Sequence, residues 1–129
     1  MPQKKVLIIE DDPVSRQILH KAVTSAGFDA LVATDAMSGL TETQRGKPDL
    51  IILDLGLPAG GVFTFLQRVK TFPRLALIPI VVVSGQDRIA NEPRAFAAGA
   101  TRYIEKPARH LAVVRTIKPV NSHWPLSRN

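Results

Sequence analysis

The sequence of 129 residues predicts an α/β fold, namely a doubly wound sandwich of five βα units around a five-stranded parallel sheet. Short runs of wholly apolar residues, such as 6–9 and 80–83, are typical of strands that are covered on both faces. Segments with apolar residues at helical spacing separate these runs, so that strand and helix alternate five times. The chain is long enough for one hydrophobic core and too short for two domains.

The first βα unit begins with the apolar strand 6–9. Pro13 is expected to begin the first helix, because its missing N–H needs no partner in a first helical turn. Gly27 follows the last apolar residue at helical spacing and is expected to end that helix. A shorter strand at 30–33 and a weak helix over 36–45 form the second unit.

The other three strands are predicted at 50–53, 80–83 and 102–105. Apolar residues between 62 and 69 recur at the i, i+3, i+4, i+7 spacing of a helix that packs on one face. A last helix is expected from about residue 108 until Pro119, which cannot continue a helix. The domain is therefore predicted to cover residues 4–118. A basic tail or linker stub without a core to join is predicted at 119–129.

Composition limits the class of protein. The absence of cysteine excludes a disulfide scaffold and a cysteine-ligated zinc site. No run approaches the roughly 18 apolar residues of a membrane span, and the N-terminus lacks a secretory apolar segment, so we expect a cytoplasmic protein. The net charge is +6, of which +4 lies in residues 108–129. With one Trp and one Tyr to stack on bases, nucleic-acid binding by this chain is not expected.

Polar and charged side chains stand at the ends of four of the five predicted strands: Glu10, Asp11, Asp12, Asp54, Ser84 and Lys106. In a doubly wound parallel sheet, ligands bind beyond the carboxyl ends of the strands, where the strand order reverses. Each residue alone has an ordinary explanation. Asp12, for example, is a typical N-cap for a helix that begins at Pro13. Four such strand ends at one edge of a sheet nevertheless indicate a functional site.

The charges of these side chains indicate the chemistry of the site. Glu10, Asp11 and Asp54 bring three negative charges against the one positive charge of Lys106. Like charges about 4 Å apart repel by roughly 4 kcal/mol at an effective dielectric constant of about 20, so either a carboxylate takes up a proton or a divalent cation joins them. Oxygen ligands favour Mg²⁺. A carboxylate beside Mg²⁺, an ammonium and the hydroxyl of Ser84 favours phosphoryl transfer to Asp54.

With these residues the chain resembles the receiver domains of the two-component response regulator family, over about residues 4–118. The resemblance rests on spacing. Ser84 lies 30 residues after Asp54, Tyr103 lies 49 after it, and Lys106 lies 52 after it. These intervals are those of the family between its phosphoacceptor and its switch hydroxyl, its switch aromatic residue and its lysine. The resemblance implies a flavodoxin-like (βα)5 sandwich with the strand order 2-1-3-4-5.

The resemblance also implies a chemical role for the acidic residues. Asp54 is expected to accept a phosphoryl group from a sensor histidine kinase or a histidine phosphotransfer protein. Mg²⁺ is expected to bind Asp11 and Asp54 directly, Glu10 through water, and the backbone carbonyl of Gly56. Phosphorylation and dephosphorylation of the chain itself are the only reactions expected, so the chain is not expected to be a metabolic enzyme.

A conformational switch is implied as well. Ser84 is expected to move toward the phosphoryl group and Tyr103 to turn inward. These movements would reshape the face made by helix four, strand five and helix five. That face is expected to signal to a downstream effector protein.

The segment after Asp54 departs from the family's pattern. Residues 57–62 read Leu-Pro-Ala-Gly-Gly-Val, so that Gly61 replaces the usual Asp as the cap of helix three. Glycine is an acceptable N-cap, and two glycines predict a mobile loop. Gly56, two residues after the acceptor, has no side chain that could shield or steer an attacking water.

Pro93 is the larger departure, because an interior proline costs a helix about 3 kcal/mol. We predict that helix four begins near Pro93 with Asn91 as its cap, covers about 93–98 and ends at Gly99. Residues 86–92 are then expected to form a mobile loop that orders on phosphorylation or on partner binding.

Two other classes of function stay open on the sequence alone. A hydrolase of the haloacid dehalogenase kind also uses an Asp at a strand end, but it needs a second acid two residues later, where this chain has Gly56. A pseudo-receiver that acts only as a protein-interaction module is opposed by the complete set of acidic, hydroxyl and lysine residues. Phosphorylation by acetyl phosphate distinguishes these classes. The chain is expected to be either a stand-alone receiver or a piece of a longer regulator or hybrid kinase.

Overall fold

The computed structural model describes residues 3–57 and 61–121, which form a five-stranded parallel sheet with helices on both faces. The strands are β1 Lys5–Ile9, β2 Asp29–Ala33, β3 Leu50–Asp54, β4 Ile80–Ser84 and β5 Arg102–Glu105. The helices are α1 Pro13–Ser25, α2 Ala36–Gly46, α3 Gly61–Thr71, α4 Arg88–Ala97 and α5 His110–Ile117, followed by a 3₁₀-helix at Lys118–Asn121. The strand order is β2-β1-β3-β4-β5, which confirms the predicted fold class.

The predicted strands are confirmed, and β3 and β4 each extend one residue further than expected. Both are buried along their whole length, as their continuous apolar sequences require. The added residues are Asp54 and Ser84, so two of the expected functional side chains belong to the strands themselves. In the parallel register, Asp54 lies beside Val83 and Ser84 lies beside Glu105. The sheet therefore fixes the spacing of these two polar side chains.

Two hydrophobic clusters hold the helices on the sheet. One contains Phe65 and Leu66 of α3 and Ala95 of α4, packed on alternate strand residues with Leu40 of α2. The other contains residues of α1 and α5 on the opposite face, together with Phe28 from the connection between α1 and β2. Within the two described stretches, no helix is long and apolar enough to span a membrane.

The chain stays packed beyond the end of α5. Val120 is buried in the hydrophobic cluster that contains residues of α1 and α5. Lys4 Nζ donates a hydrogen bond to the carbonyl oxygen of Val120 at 3.0 Å. The expectation that everything from residue 119 lacks a core to join is therefore wrong for Val120. The 3₁₀-helix that contains Val120 brings the side chain of this residue back against the hydrophobic cluster. Residues 122–129 of the predicted tail lie outside the described residues.

The sequence predicted the N-cap of α1 correctly and the N-cap of α3 incorrectly. Asp12 is the N-cap of α1, as expected, and its side chain accepts a hydrogen bond from the backbone N–H of Ser15 at 2.8 Å. The expectation that Gly61 caps α3 is wrong, because Gly61 is the first residue of that helix. A Cβ at Gly61 would lie 2.8 Å from the Cβ of Ala36, so the glycine permits the close approach of α2. The loop at 58–60, predicted to be mobile, lies outside the described residues.

Helix four does not begin at Pro93, contrary to the prediction. The helix covers Arg88–Ala97 with Pro93 inside it, and residues expected to form a loop belong to its first turns. Asp87 is the N-cap, since its side chain accepts from the N–H of Ile89 at 3.0 Å. Its carbonyl oxygen accepts from the N–H of Asn91 at 3.0 Å. The cap at Asp87 allows a helical turn to form ahead of the proline, and Asn91 lies within the helix.

Candidate functional site

The ends of four strands bring the expected polar side chains to one edge of the sheet. Asp54 and Ser84 end the adjacent strands β3 and β4. Glu10 and Asp11 follow β1, and Lys106 follows β5. Because the strands are parallel, their carboxyl ends share this edge, which is where a doubly wound sheet binds its ligand.

The three carboxylates form a compact cluster. One oxygen of each of Glu10, Asp11 and Asp54 lies within 4.8 Å of the others. Glu10 is fully buried and Asp54 is 4% exposed, whereas Asp11 is exposed to solvent. Three oxygen donors that are open to water on one side fit Mg²⁺, an ion that binds few carboxylates and keeps several waters.

Lys106 supplies the positive charge that the sequence predicted for this cluster. Its Nζ lies 3.0 Å from Glu10 Oε1 and 3.3 Å from Asp54 Oδ1. Burial lowers the pKa of the Lys106 ammonium, but its hydrogen bonds and charge interactions with the two carboxylates outweigh this effect and hold the pKa above 10.5. Lys106 therefore stays charged at neutral pH and joins β1, β3 and β5 electrostatically.

One lysine does not neutralise the site. Burial raises the pKa of Glu10 from 4.5 to about 7, and its hydrogen bond with the carboxyl of Asp54 acts in the same direction. Lys106 and the backbone N–H of Asp12 oppose the shift without cancelling it. A metal-free site thus takes up a proton near neutral pH, and a divalent cation would replace that proton.

Gly56 lies directly against the buried carboxylate. Its backbone N–H donates to Asp54 Oδ1 at 3.0 Å, so this oxygen contacts both Gly56 and Lys106. A Cβ at position 56 would lie 3.5 Å from the same oxygen. The glycine therefore leaves one side of the Asp54 carboxylate free of a covering side chain.

The hydroxyl of Ser84 is buried and oriented by the backbone. Its Oγ accepts a hydrogen bond from the N–H of Gln86 at 3.0 Å, and the residue is fully buried. Because the oxygen acts as the acceptor in this contact, its own proton is left to donate to another group.

Tyr103 already lies inside the protein. It is 8% exposed and its phenol oxygen has no hydrogen-bond partner among residues 3–57 and 61–121. The guanidinium of Arg88, held by an ion pair to Glu92 Oε1 at 3.0 Å, lies 5.7 Å from the centre of the ring. Contacts of Tyr103 thus connect β5 with the first turn of α4.

Arg16 is a site residue that the sequence did not predict. Its Nη1 donates to the carbonyl oxygens of Glu10 at 3.1 Å and of Asp11 at 3.3 Å. These bonds hold the backbone that carries both carboxylates. The sequence contains one indication of this role. Arg16 lies four residues after the N-cap Asp12, so its side chain can point back toward the end of β1.

The chain is similar to known proteins over most of its length. The family model "Response regulator receiver domain" matches residues 6–118. The chain is 35% identical over 103 residues to the DNA-binding dual master transcriptional regulator RpaA of Synechocystis. It is 36% identical over 102 residues to the KDP operon transcriptional regulatory protein KdpE of Escherichia coli. The matches cover 80% and 79% of this chain but 43% and 44% of those regulators, so the chain spans less than half their length.

Solved structures share the fold over nearly the whole chain. A putative response regulator from Chloroflexus aurantiacus superposes with a TM-score of 0.87 at 27% identity, covering 95% of this chain and all of the other. The chemotaxis response regulator CheY4 of Vibrio cholerae superposes with a TM-score of 0.84 at 25% identity, covering 92% and 98%.

Proposed function

Since this chain belongs to the response regulator receiver domain family of two-component systems, which is not a class of metabolic enzymes, we propose that it accepts a phosphoryl group on Asp54. The donor is a phosphohistidine of a sensor histidine kinase or of a histidine phosphotransfer protein. The observation that carries the proposal is the buried Asp54 carboxylate, which meets Lys106 and Gly56 at one oxygen and lies beside two further carboxylates. We place this reaction in the cytoplasm.

The transfer uses the polar groups at this edge of the sheet. A carboxylate oxygen of Asp54 attacks the phosphorus, the P–N bond to histidine breaks, and the imidazole leaves with the bonding electron pair and takes up a proton. Lys106 pairs with a phosphoryl oxygen, and the proton of Ser84 donates to another. Asp11, Asp54 and the backbone carbonyl of Gly56 would bind Mg²⁺ directly, and Glu10 would bind it through water. The bound ion supplies positive charge against the transferred group.

The signal leaves through the face made by α4, β5 and α5. We propose that Ser84 moves toward the phosphoryl group and that Tyr103 changes its packing in response. Their positions at the end of β4 and in β5 support this coupling, since the two strands are paired. The recipient is a downstream effector protein. In this proposal the receiver domain covers residues 4–118, and the segment from 119 onward forms a linker whose first part packs through Val120.

Phosphorylation by a small donor tests the proposal. Wild-type protein incubated with acetyl phosphate and Mg²⁺ should gain the mass of one phosphoryl group, and Asp54→Asn should gain none, because the amide keeps the shape but removes the nucleophile. Asp12→Asn is the matched control. It lies at the same edge, and Asn caps a helix as well as Asp does, so labelling should persist. An unlabelled wild type would favour an interaction-only pseudo-receiver, and equal labelling of Asp54→Asn would move the acceptor elsewhere.

A second prediction concerns the metal. Asp11→Ala should weaken Mg²⁺ binding by at least about tenfold, because it removes one of three oxygen donors in a site that supplies few. The thermal midpoint without metal should not fall, since Asp11 is exposed and repels its neighbours. Amide shifts of the residues after β1 and β3 during a Mg²⁺ titration measure this. Affinity equal to that of Asp12→Asn would contradict the assignment.

A further inference from the structure

An apolar groove lies between the last residues of α2 and the loop after α3. It has a volume of about 580 Å³ and is lined by Lys47, Pro48, Phe72, Arg74, Leu75 and Ile78, among others. This volume is in the range of roughly 300–1,000 Å³ found for binding sites. Phe72 is 43% exposed, so a large aromatic surface faces water at the groove. An exposed aromatic surface of this kind within a concave site is typical of a binding surface.

The groove is at the opposite end of the sheet from Asp54. Pro48 precedes β3, whereas Asp54 ends it. The five residues of β3 span about 15 Å at roughly 3.3 Å per residue. A molecule bound in the groove would therefore leave the carboxylate cluster open.

The loop that forms one wall of the groove is held by its own hydrogen bonds. The N–H groups of Leu75 and Ala76 both donate to the carbonyl oxygen of Phe72 at 2.9 Å. Ile78 N–H donates to the carbonyl of Leu75 at 3.1 Å, and Lys70 Nζ donates to the carbonyl of Ala76 at 3.2 Å. The wall is thus formed before any partner arrives, which reduces the entropy lost on binding.

The rim of the groove is positively charged. Lys47 and Arg74 are exposed, and neither forms an ion pair or side-chain hydrogen bond within residues 3–57 and 61–121. The helices α2 and α3 both end here, and each helix end contributes about half a negative charge. Two full positive charges exceed that sum by about one charge. No Asp or Glu in the described part of the chain lines the groove.

Two carboxylates lie close to the rim residues in the sequence. Glu42 pairs with Arg45 on α2, and Asp49 accepts a hydrogen bond from the backbone N–H of Lys5 at 2.8 Å. Among the described residues, neither carboxylate forms an ion pair with Lys47 or Arg74. We propose that this groove docks a segment of a partner protein that places an aromatic or leucine side chain against Phe72, with Asp or Glu residues on either side of it. A second copy of this chain is disfavoured, because each copy carries a net charge of +6.

The peptide Glu-Asp-Trp-Leu-Asp-Glu, labelled with a dye at its N-terminus and amidated at its C-terminus, is the probe. We expect it to bind the full chain weakly by fluorescence anisotropy, with amide shifts concentrated at residues 47, 72 and 74–78. The Lys47→Glu/Arg74→Glu double variant should bind about tenfold more weakly or worse, because two attractions become repulsions. Binding should also weaken as the salt concentration rises. Phe72→Ser should lower affinity by removing the apolar contact.

Leu77→Ser is the matched control for the apolar contact. Leu77 belongs to the same loop and is 66% exposed, but it does not line the groove, so this variant should bind like wild type. A peptide with Lys in place of every Asp and Glu should not bind. Labelling by acetyl phosphate should be the same in all variants, so the groove is tested separately from the chemistry of Asp54.

Several results would overturn the proposal. One is equal binding of the acidic and basic peptides, and another is a set of amide shifts outside the groove. Equal affinity of the wild type and the Lys47→Glu/Arg74→Glu variant for the acidic peptide would also overturn it. A concentration-dependent dimer that Phe72→Ser abolishes would show instead that a second copy occupies the groove; sedimentation velocity of the wild type detects it.

Discussion

The Glu10→Gln substitution is expected to raise the free energy of unfolding of the metal-free protein by about 2–3 kcal/mol at pH 8, and by almost nothing at pH 4. The reason is the burial of Glu10, which raises its pKa from 4.5 to about 7. A shift of this size corresponds to roughly 3 kcal/mol at about 1.4 kcal/mol per unit. Gln imitates the protonated carboxyl and needs no proton to be stable in the folded chain.

The sign of the pH dependence follows from the direction of the shift. A carboxyl with a raised folded pKa contributes its full stability below pH 4.5 and loses it as the pH rises toward 7. Wild-type protein should therefore lose stability over this window, and Glu10→Gln should lose less. Lys106, with its pKa above 10.5, stays charged throughout and adds no slope. Urea unfolding at pH 4, 6 and 8 with a chelator present measures the difference.

Glu105→Gln is the control for this prediction, because Glu105 is exposed at the end of β5 and should show no such gain. Saturating Mg²⁺ should reduce or reverse the advantage of Gln, since the ion stabilises the ionised carboxylate. Parallel stability curves for wild type and Glu10→Gln between pH 4 and pH 8 would contradict the assignment of the slope to Glu10.

The convergence of the site could be predicted because it depends on sheet topology alone. Asp54 and Ser84 follow apolar runs, and Lys106 follows the predicted strand 102–105, so any parallel arrangement places them at one edge. The distances could not be predicted. The contact of Lys106 with Glu10 and the bonds of Arg16 to the backbone depend on side-chain conformations that only the packed structure fixes.

Other buried residues could not be predicted because no periodic pattern of apolar residues includes them. Val120 is a single apolar residue between Pro119 and Asn121, so no pattern marked it as buried. The burial of Tyr103 in β5 depends on how α4 packs, and α4 was the helix predicted least well. The cost of an interior proline favours a helix that begins at Pro93, but the cap at Asp87 starts α4 before that residue.

The Pro93→Ala substitution is expected to raise the free energy of unfolding by about 2 kcal/mol. Pro93 is the sixth residue of α4, past the first turn, so its missing N–H leaves the carbonyl oxygen of Ile89 without its helical donor. An interior proline costs a helix about 3 kcal/mol relative to alanine, and the substitution removes this cost. Alanine also gives the unfolded chain more freedom, which lowers the gain in stability by about 0.4–1 kcal/mol. Urea unfolding measures the gain, and exchange of the new Ala amide reports the added hydrogen bond.

Pro73→Ala serves as the matched control, because Pro73 lies in the loop after α3 and interrupts no helix. The same substitution there should lower stability by about 0.4–1 kcal/mol, since only the unfolded chain gains freedom. The two positions thus predict opposite signs for one chemical change. If the helix instead began at Pro93 in solution, the proline would occupy a first-turn position that favours it, and Pro93→Ala would be neutral or destabilising. A stabilising Pro93→Ala, with amides 92 and 94–97 protected in both proteins, places the start of α4 at Arg88.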